Sequence, residues 1–166
     1  MKSPIHRLPA MLTVVLAFAL SSCHDVSRIM QVATGTVPRA VTPSTVITVS
    51  GSSAVVTLVL DTRGNVGKIG SFTGRLRFDP SALSYESEVA LTDATLRASN
   101  PGIGVIRVAG VSTVGVDVTR LAAFRFTVKN AEGLSSVRFD VEELHELTHA
   151  DLHADVRLST APKVLR

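Results

Sequence analysis

Nine short apolar runs, separated by turn-forming residues, limit what this chain can fold into. Each run is rich in Val, Ile, Leu or Phe and is bounded by Gly, Asn, Asp or Pro, which is the pattern of β-strands. Because convincing helical periodicity is nearly absent, these many short strands predict an all-β sandwich or barrel. The runs lie at about 45–50, 54–62, 69–78, 83–90, 94–98, 103–111, 119–129, 135–144 and 152–159.

Alternation of apolar and polar residues predicts which side chains face the core, since successive strand residues point to opposite faces. In the third run, Gly74 leaves a gap in the inward row. The run at 54–60 is almost continuously apolar, which suits a strand covered on both sides or in the middle of a sheet. The inward residues predicted from alternation are Phe72, Leu76, Phe78, Ile106, Val108, Phe124, Phe126, Val128, Val137, Phe139 and Val141.

The alternation of the third run stops at Asp79-Pro80 and resumes at Leu83. Proline has no N–H for a strand ladder, whereas Asp is a good helix N-cap and Pro a good first helical residue. We therefore predict one helical turn over 79–82. Leu83 then closes the end of the sandwich, and Tyr85 begins the next strand.

The N-terminus has the features of an export signal. Lys2 and Arg7 precede an apolar run from Met11 to Leu20, which is too short to span a membrane. The following Leu-Ser-Ser-Cys resembles the lipobox of bacterial lipoproteins and predicts a signal peptide at 1–22 with lipidation of Cys23. The alternative is an ordinary signal peptide with an incidental cysteine. Cys23 is the only cysteine in the chain, so a disulfide within the chain is excluded.

Removal of the leader reduces the formal net charge from +3 to +1, and nothing global then points to nucleic acid. Residues 23–43 lack sustained periodicity and are predicted to form a lipidated tether. The domain is predicted at 44–160, followed by a tail at 161–166. His24, rather than Asp, follows the cysteine, so the outer membrane is preferred over the inner membrane as the site of the anchor.

Four stretches of strand and turn residues follow one another in the domain: Gly-x-Phe-x-Gly-x-Leu-x-Phe-Asp-Pro-Ser-Ala-Leu at 70–83, Gly-Val-Ile-Arg-Val-Ala at 104–109, Leu-Ala-Ala-Phe-Arg-Phe-Thr-Val at 121–128 and Glu-Leu-Thr-His-Ala-Asp at 146–151. In order and spacing they resemble the cohesin domain family, and the resemblance covers roughly 44–160. The resemblance implies a nine-stranded jelly-roll β-sandwich. It also implies binding of a protein, typically a dockerin, through a face built by strands eight, three, six and five.

Mapping the nine runs onto that face places five arginines together. Planar guanidinium groups pair with carboxylates, so the face is a candidate docking site for an acidic protein partner. The alternative is that arginine only solvates the sheet surface and limits aggregation. The outward residues predicted on this face are Thr73, Arg75, Arg77, Arg97, Arg107 and Arg138.

Three histidines lie four residues apart at His145, His149 and His153. On a helix they would form a stripe able to bind a transition metal, and 145–149 matches the His-Glu-x-x-His pattern of zinc proteases. On a hairpin turning near His149, the other two would lie opposite each other. The resemblance instead places this segment at the end of strand eight and its turn. Solvated turn histidines are therefore preferred, and no metal or cofactor is predicted.

The chain contains no Gly-x-Ser-x-Gly elbow, no phosphate-binding glycine loop and no recognisable pair of catalytic carboxylates, so we predict no enzymatic activity. We interpret it as an envelope-anchored, cohesin-like protein-binding module. The alternative is a carbohydrate-binding or structural cell-envelope β-sandwich lipoprotein. Sugar binding usually needs flat aromatic side chains, but the chain has no Trp and one Tyr, and the Phe of the domain are assigned to the core.

Overall fold

A computed structural model describes residues 37–165, and nine β-strands form two stacked sheets in that part of the chain. The strands are β1 (Ala40–Ser50), β2 (Ser53–Arg63), β3 (Ile69–Arg77), β4 (Leu83–Glu88), β5 (Leu96–Gly102), β6 (Val105–Val111), β7 (Ala122–Val128), β8 (Arg138–Glu146) and β9 (Lys163–Leu165). One sheet has the order β4-β7-β2-β1-β9, and the other has the order β5-β6-β3-β8. The nine-stranded sandwich is confirmed.

The core lies between the sheets and is built from the alternating residues of both inner faces. The inward orientation is confirmed for all the predicted residues, of which only Val128 and Val141 remain partly exposed. Phe78, directly after the end of β3, packs edge-to-face on Phe126 of β7, with ring centroids 5.0 Å apart. β2 is the middle strand of its sheet, but its residues alternate between buried and half-buried, so only one of its faces is covered by the core.

The gap at Gly74 has a steric cause. A Cβ at this position would lie 2.6 Å from the carbonyl oxygen of Asp140 and 2.7 Å from the ring of Phe139. Both atoms belong to β8, which pairs with β3 at this point through an irregular register. Glycine therefore allows β8 to cross β3 closely, with the Phe139 ring packed beneath the strand.

The predicted turn after β3 is confirmed. The carbonyl of Asp79 accepts hydrogen bonds from the N–H groups of Ala82 (3.1 Å) and Leu83 (2.9 Å), which closes one helical turn. The Asp79 carboxylate caps the turn, accepting from the Ser81 hydroxyl (2.6 Å) and the Ser81 N–H (2.8 Å). These bonds, the hydroxyl first, hold the pKa of Asp79 below its usual value of 3.8. Leu83 is fully buried and starts β4.

The ninth predicted strand is wrong. The segment 152–159 contains a short 3-10 helix at His153–Asp155 and one isolated bridge between Val156 and Val41. It follows the edge of β1 through single hydrogen bonds instead of a ladder, and its Leu158 is 92% exposed. The ninth strand lies later in the chain, where β9 pairs in parallel with β1.

Pairing extends beyond the predicted domain limits of 44 and 160, since β1 begins at Ala40 and β9 ends at Leu165. The compact unit that contains both sheets begins at Arg39. The predicted signal peptide and Cys23 lie outside the described residues. Between residues 37 and 165, no helix has the length and apolarity needed to cross a membrane.

Candidate functional site

The outer face of the β5-β6-β3-β8 sheet carries its side chains in four rows that run across the strands. Each row joins residues that are paired directly in the strand register. We call this surface the four-row face. The first row is Leu96, Val111, Ser71 and His145; the second is Ala98, Ala109, Thr73 and Glu143; the third is Asn100, Arg107, Arg75 and Asp140; and the fourth is Gly102, Val105, Arg77 and Arg138.

Two of the predicted arginines are paired with carboxylates of β8. The register of β8 shifts between Thr73 and Gly74 of β3, so Glu142 is an extra residue on β8 at this point. Arg75 forms an ion pair with Glu142, and Arg77 forms one with Asp140 at 2.8 Å. These arginines lie on the face as predicted, but their charges are largely balanced within the sheet.

Arg138 begins β8 and lies opposite Arg77 in the fourth row. Its guanidinium group donates to the carbonyl oxygens of Ser135 and Val137, both at 2.7 Å. The residue is half-buried and bent toward the preceding 3-10 helix at Ala131–Ser136. Its position on the face agrees with the prediction, while its hydrogen bonds go to the backbone.

Arg107 differs from these three arginines. It is exposed, and it lies directly opposite Arg75 in the third row. Within residues 37–165 its side chain forms no hydrogen bond or ion pair. Like charges directly opposite each other on a sheet are unfavourable, and here only one of the two has an acidic partner in the described chain.

The predicted outward position of Arg97 is wrong. Arg97 pairs with Gly110 and points to the inner side of β5, where its side chain is only 8% exposed. It forms an ion pair with Asp93 at 2.5 Å and donates to the carbonyl of Leu121. Its hydrogen bonds lower the pKa of Asp93 to about 2, against the opposing effect of burial. Arg97 therefore holds β5 in place and does not contribute to the four-row face.

The β5, β6 and β3 residues of the first two rows form an apolar and small-residue area that the sequence does not predict. Leu96 and Val111 face each other across β5 and β6 and are 75% and 50% exposed. Two shallow depressions of about 400 and 440 Å³ cover these rows, and the second of them reaches Arg107. Their floors contain Ala98 and Ala109, which leave room for another molecule. In the sequence, the exposed Leu96 could have indicated this area. Its neighbour is Arg97, however, and alternation alone does not say which of the two side chains faces outward.

The three histidines do not share one helix, since His145 lies in β8, His149 in the following turn and His153 at the start of a short 3-10 helix. β8 ends at Glu146, and His149 adopts a left-handed backbone conformation with φ 64° in the following turn. His145 lies opposite Asp151 and not opposite His153, which starts a 3-10 helix. In the described part of the chain, no group of three or more His, Cys, Asp or Glu residues is arranged to hold a metal ion.

The aromatic side chains of the described residues pack in or against the core. Phe72, Phe78, Phe124, Phe126 and Phe139 are buried, as predicted. Tyr85 is half-buried and packs against Phe126 and Phe124, with ring centroids 5.9 and 6.3 Å away. Within residues 37–165, therefore, no flat aromatic surface of the kind that stacks on sugars is exposed.

The solved structures that this chain resembles include several cohesins. The sixth cohesin of scaffoldin B from Acetivibrio cellulolyticus, in complex with a Cel5 dockerin mutant, is 19% identical, with a TM-score of 0.55; the match covers 76% of this chain and 99% of that chain. A non-cellulosomal cohesin from the archaeon Archaeoglobus fulgidus is 18% identical, with a TM-score of 0.54 and coverage of 76% and 92%. The cohesin module of a Clostridium perfringens family 33 glycoside hydrolase is 16% identical, with a TM-score of 0.52 and coverage of 78% and 99%.

No family model matches the sequence, and no curated protein matches it. At these identities the structural matches establish the fold. The chain is a cohesin-like β-sandwich, as the resemblance of 44–160 implies.

Proposed function

We propose that this protein is a non-enzymatic recognition module that binds a protein partner through the four-row face. The observation that carries the proposal is the fold, since several of the solved cohesins with this fold are described in complexes with dockerins. The partner proposed here is a dockerin-type or other protein with acidic groups, facing Arg75, Arg77, Arg107 and Arg138.

The shape of the face supports a macromolecular partner. Its depressions are shallow and wide, and their floor is made of small side chains such as Ala98, Ala109 and Thr73. Small-molecule sites are usually enclosed pockets, whereas this surface is open. The free edge of β5 is less suited to binding an added strand. Pro101 has no N–H to donate to such a strand, and Ser99 is already hydrogen-bonded through its hydroxyl to Glu88 of β4 at 2.6 Å.

Site-directed photo-crosslinking in the producing cell tests this proposal. A photoreactive residue at Ala109, in the middle of the four-row face, should give a discrete adduct with one protein. The matched control is Thr57, which lies on the outer face of the other sheet and should give no such adduct. The proposal fails if Ala109 yields no adduct, or if both positions yield the same products in equal amounts.

We further propose that Cys23 is lipidated and anchors the protein in the bacterial cell envelope, with the outer membrane preferred. The support is the Leu-Ser-Ser-Cys sequence after the apolar run and the His that follows it. Several acyl chains hold a protein on a membrane stably, whereas one chain is marginal. Replacement of Cys23 with Ser should move the protein from the membrane fraction to the soluble fraction, and continued membrane association would contradict the anchor.

A further inference from the structure

We infer that the four-row face recognises a protein segment with a carboxylate and an apolar side chain about 13 Å apart, in one orientation only. This inference rests on the proposed function and specifies the partner's chemistry. The carboxylate would bind Arg107 in the third row. The apolar side chain would cover Leu96 and Val111 in the first row.

A carboxylate from a partner should bind more strongly to Arg107 than to the other arginines of the face. Arg75 and Arg77 already have Glu142 and Asp140 as partners, and Arg138 donates to backbone oxygens. In the described chain Arg107 has no such partner, and it faces Arg75 across the strand pair. A carboxylate from another molecule would form charge-assisted hydrogen bonds with Arg107 and reduce its repulsion with Arg75.

The β8 side of the same area disfavours a second carboxylate. Glu143 in the second row is exposed. The Thr73 hydroxyl donates a hydrogen bond of 3.4 Å to its carboxylate. An incoming carboxylate is therefore attracted toward β6 and repelled from β8. This asymmetry across the strands fixes the side of the face on which the acidic group binds.

The apolar contact belongs at the other end of the strands. Leu96 and Val111 form one exposed patch, because they are direct partners across β5 and β6. Val111 is four positions after Arg107 in β6, which at about 3.3 Å per residue gives about 13 Å. Ala98 and Ala109 lie between the two points, so the backbone of the bound segment can approach closely. A segment bound in the reverse orientation would place its carboxylate on leucine and its apolar group on arginine.

A random peptide library displayed on phage tests the inference, using the full chain as the target. Peptides of about 16 residues are long enough to span both points even if they are helical. Those directed to the face are defined as the peptides whose binding is lost in Thr73→Arg, a variant that places a large side chain at the centre. They should carry Asp or Glu together with a large apolar residue.

Face-directed peptides should lose affinity by at least about tenfold with Arg107→Glu and with Leu96→Ser. The matched controls are Arg125→Glu, an exposed arginine on the outer face of the other sheet, and Leu158→Ser, an exposed leucine outside the four rows. These controls should change affinity less than about twofold. Circular dichroism and thermal unfolding of every variant confirm that the fold is retained.

Two outcomes contradict different statements. If face-directed peptides lack acidic residues, or bind Arg107→Glu as well as the wild type, the inferred partner chemistry is wrong while the face remains a docking site. If no selected peptide is affected by Thr73→Arg, the four-row face is not a docking site, and both the inference and the proposed function fail.

Discussion

Gly74 controls the geometry of the four-row face at the scale of a single residue. It lies under the crossing of β3 and β8, where the extra residue Glu142 enters the register. The position of Glu142 beside Arg75 therefore depends on a close approach of two backbones that any Cβ would prevent.

Replacement of Gly74 with Ala should destabilise the protein by about 1–3 kcal/mol, because the new methyl group overlaps the backbone oxygen of Asp140 and must displace β8. Urea unfolding measures this change. Gly102→Ala is the matched control, since its Cβ would have no neighbour closer than 3.6 Å. Equal effects at the two positions would contradict a steric role for Gly74.

At the scale of elements, β5 depends on one buried side chain. Arg97 reaches under the strand to Asp93 in the preceding loop and to the carbonyl of Leu121 at the start of β7. Among the described strands, β5 lies at the edge of its sheet and pairs only with β6. The ion pair therefore fixes the strand that presents Leu96 and Ala98.

The contribution of Asp93 should depend on pH. Since folding lowers its pKa from 3.8 to about 2, its stabilising effect is complete above pH 4 and is lost as the pH falls toward 2. The melting temperature of Asp93→Asn should therefore lie below that of the wild type at neutral pH, and the two should converge between pH 4 and 2. Asp61→Asn, at a well-exposed carboxylate, is the control. A difference in melting temperature between Asp93→Asn and the wild type that does not change with pH would contradict this mechanism.

The sequence predicts the strands well because alternation reports burial directly. Phe72, Leu76 and Phe139 face the core for that reason. The prediction from alternation fails for β5, where Leu96 is exposed and the Arg97 side chain is buried. An edge strand can bury an arginine that has an acidic partner. The sequence also does not predict which arginines of the face are paired with carboxylates. The bulge that brings Glu142 beside Arg75 depends on pairing between segments that are distant in the chain.

At the scale of the whole molecule, Glu146 joins three segments that are distant in sequence. Its carboxylate accepts from Arg39 at 2.9 Å, from the N–H of Gly67 at 2.9 Å and from the Thr148 hydroxyl at 3.2 Å. Arg39 also contacts Asp155 at 3.3 Å. This junction connects the start of β1, the loop before β3 and the end of β8.

A double-mutant cycle should detect the junction. Arg39→Gln and Glu146→Gln should show a coupling of about 1 kcal/mol in urea unfolding, because the Glu146 side chain is only 12% exposed. The exposed pair Arg63 and Asp61, treated in the same way, should couple by less than about 0.5 kcal/mol. Couplings of equal size would show that Arg39 and Glu146 form an ordinary surface ion pair.

The bond between Arg39 and Glu146 also places the start of β1 next to the first row of the four-row face, because Glu146 directly follows His145. Along the strands, the third row lies about 13 Å and the fourth row about 20 Å from the first row. If a partner binds this face as proposed, attraction by the arginines acts over about 10 Å, whereas apolar contact with Leu96 requires atoms that touch. The charges at one end of the face would therefore orient a partner before the apolar patch at the other end is covered.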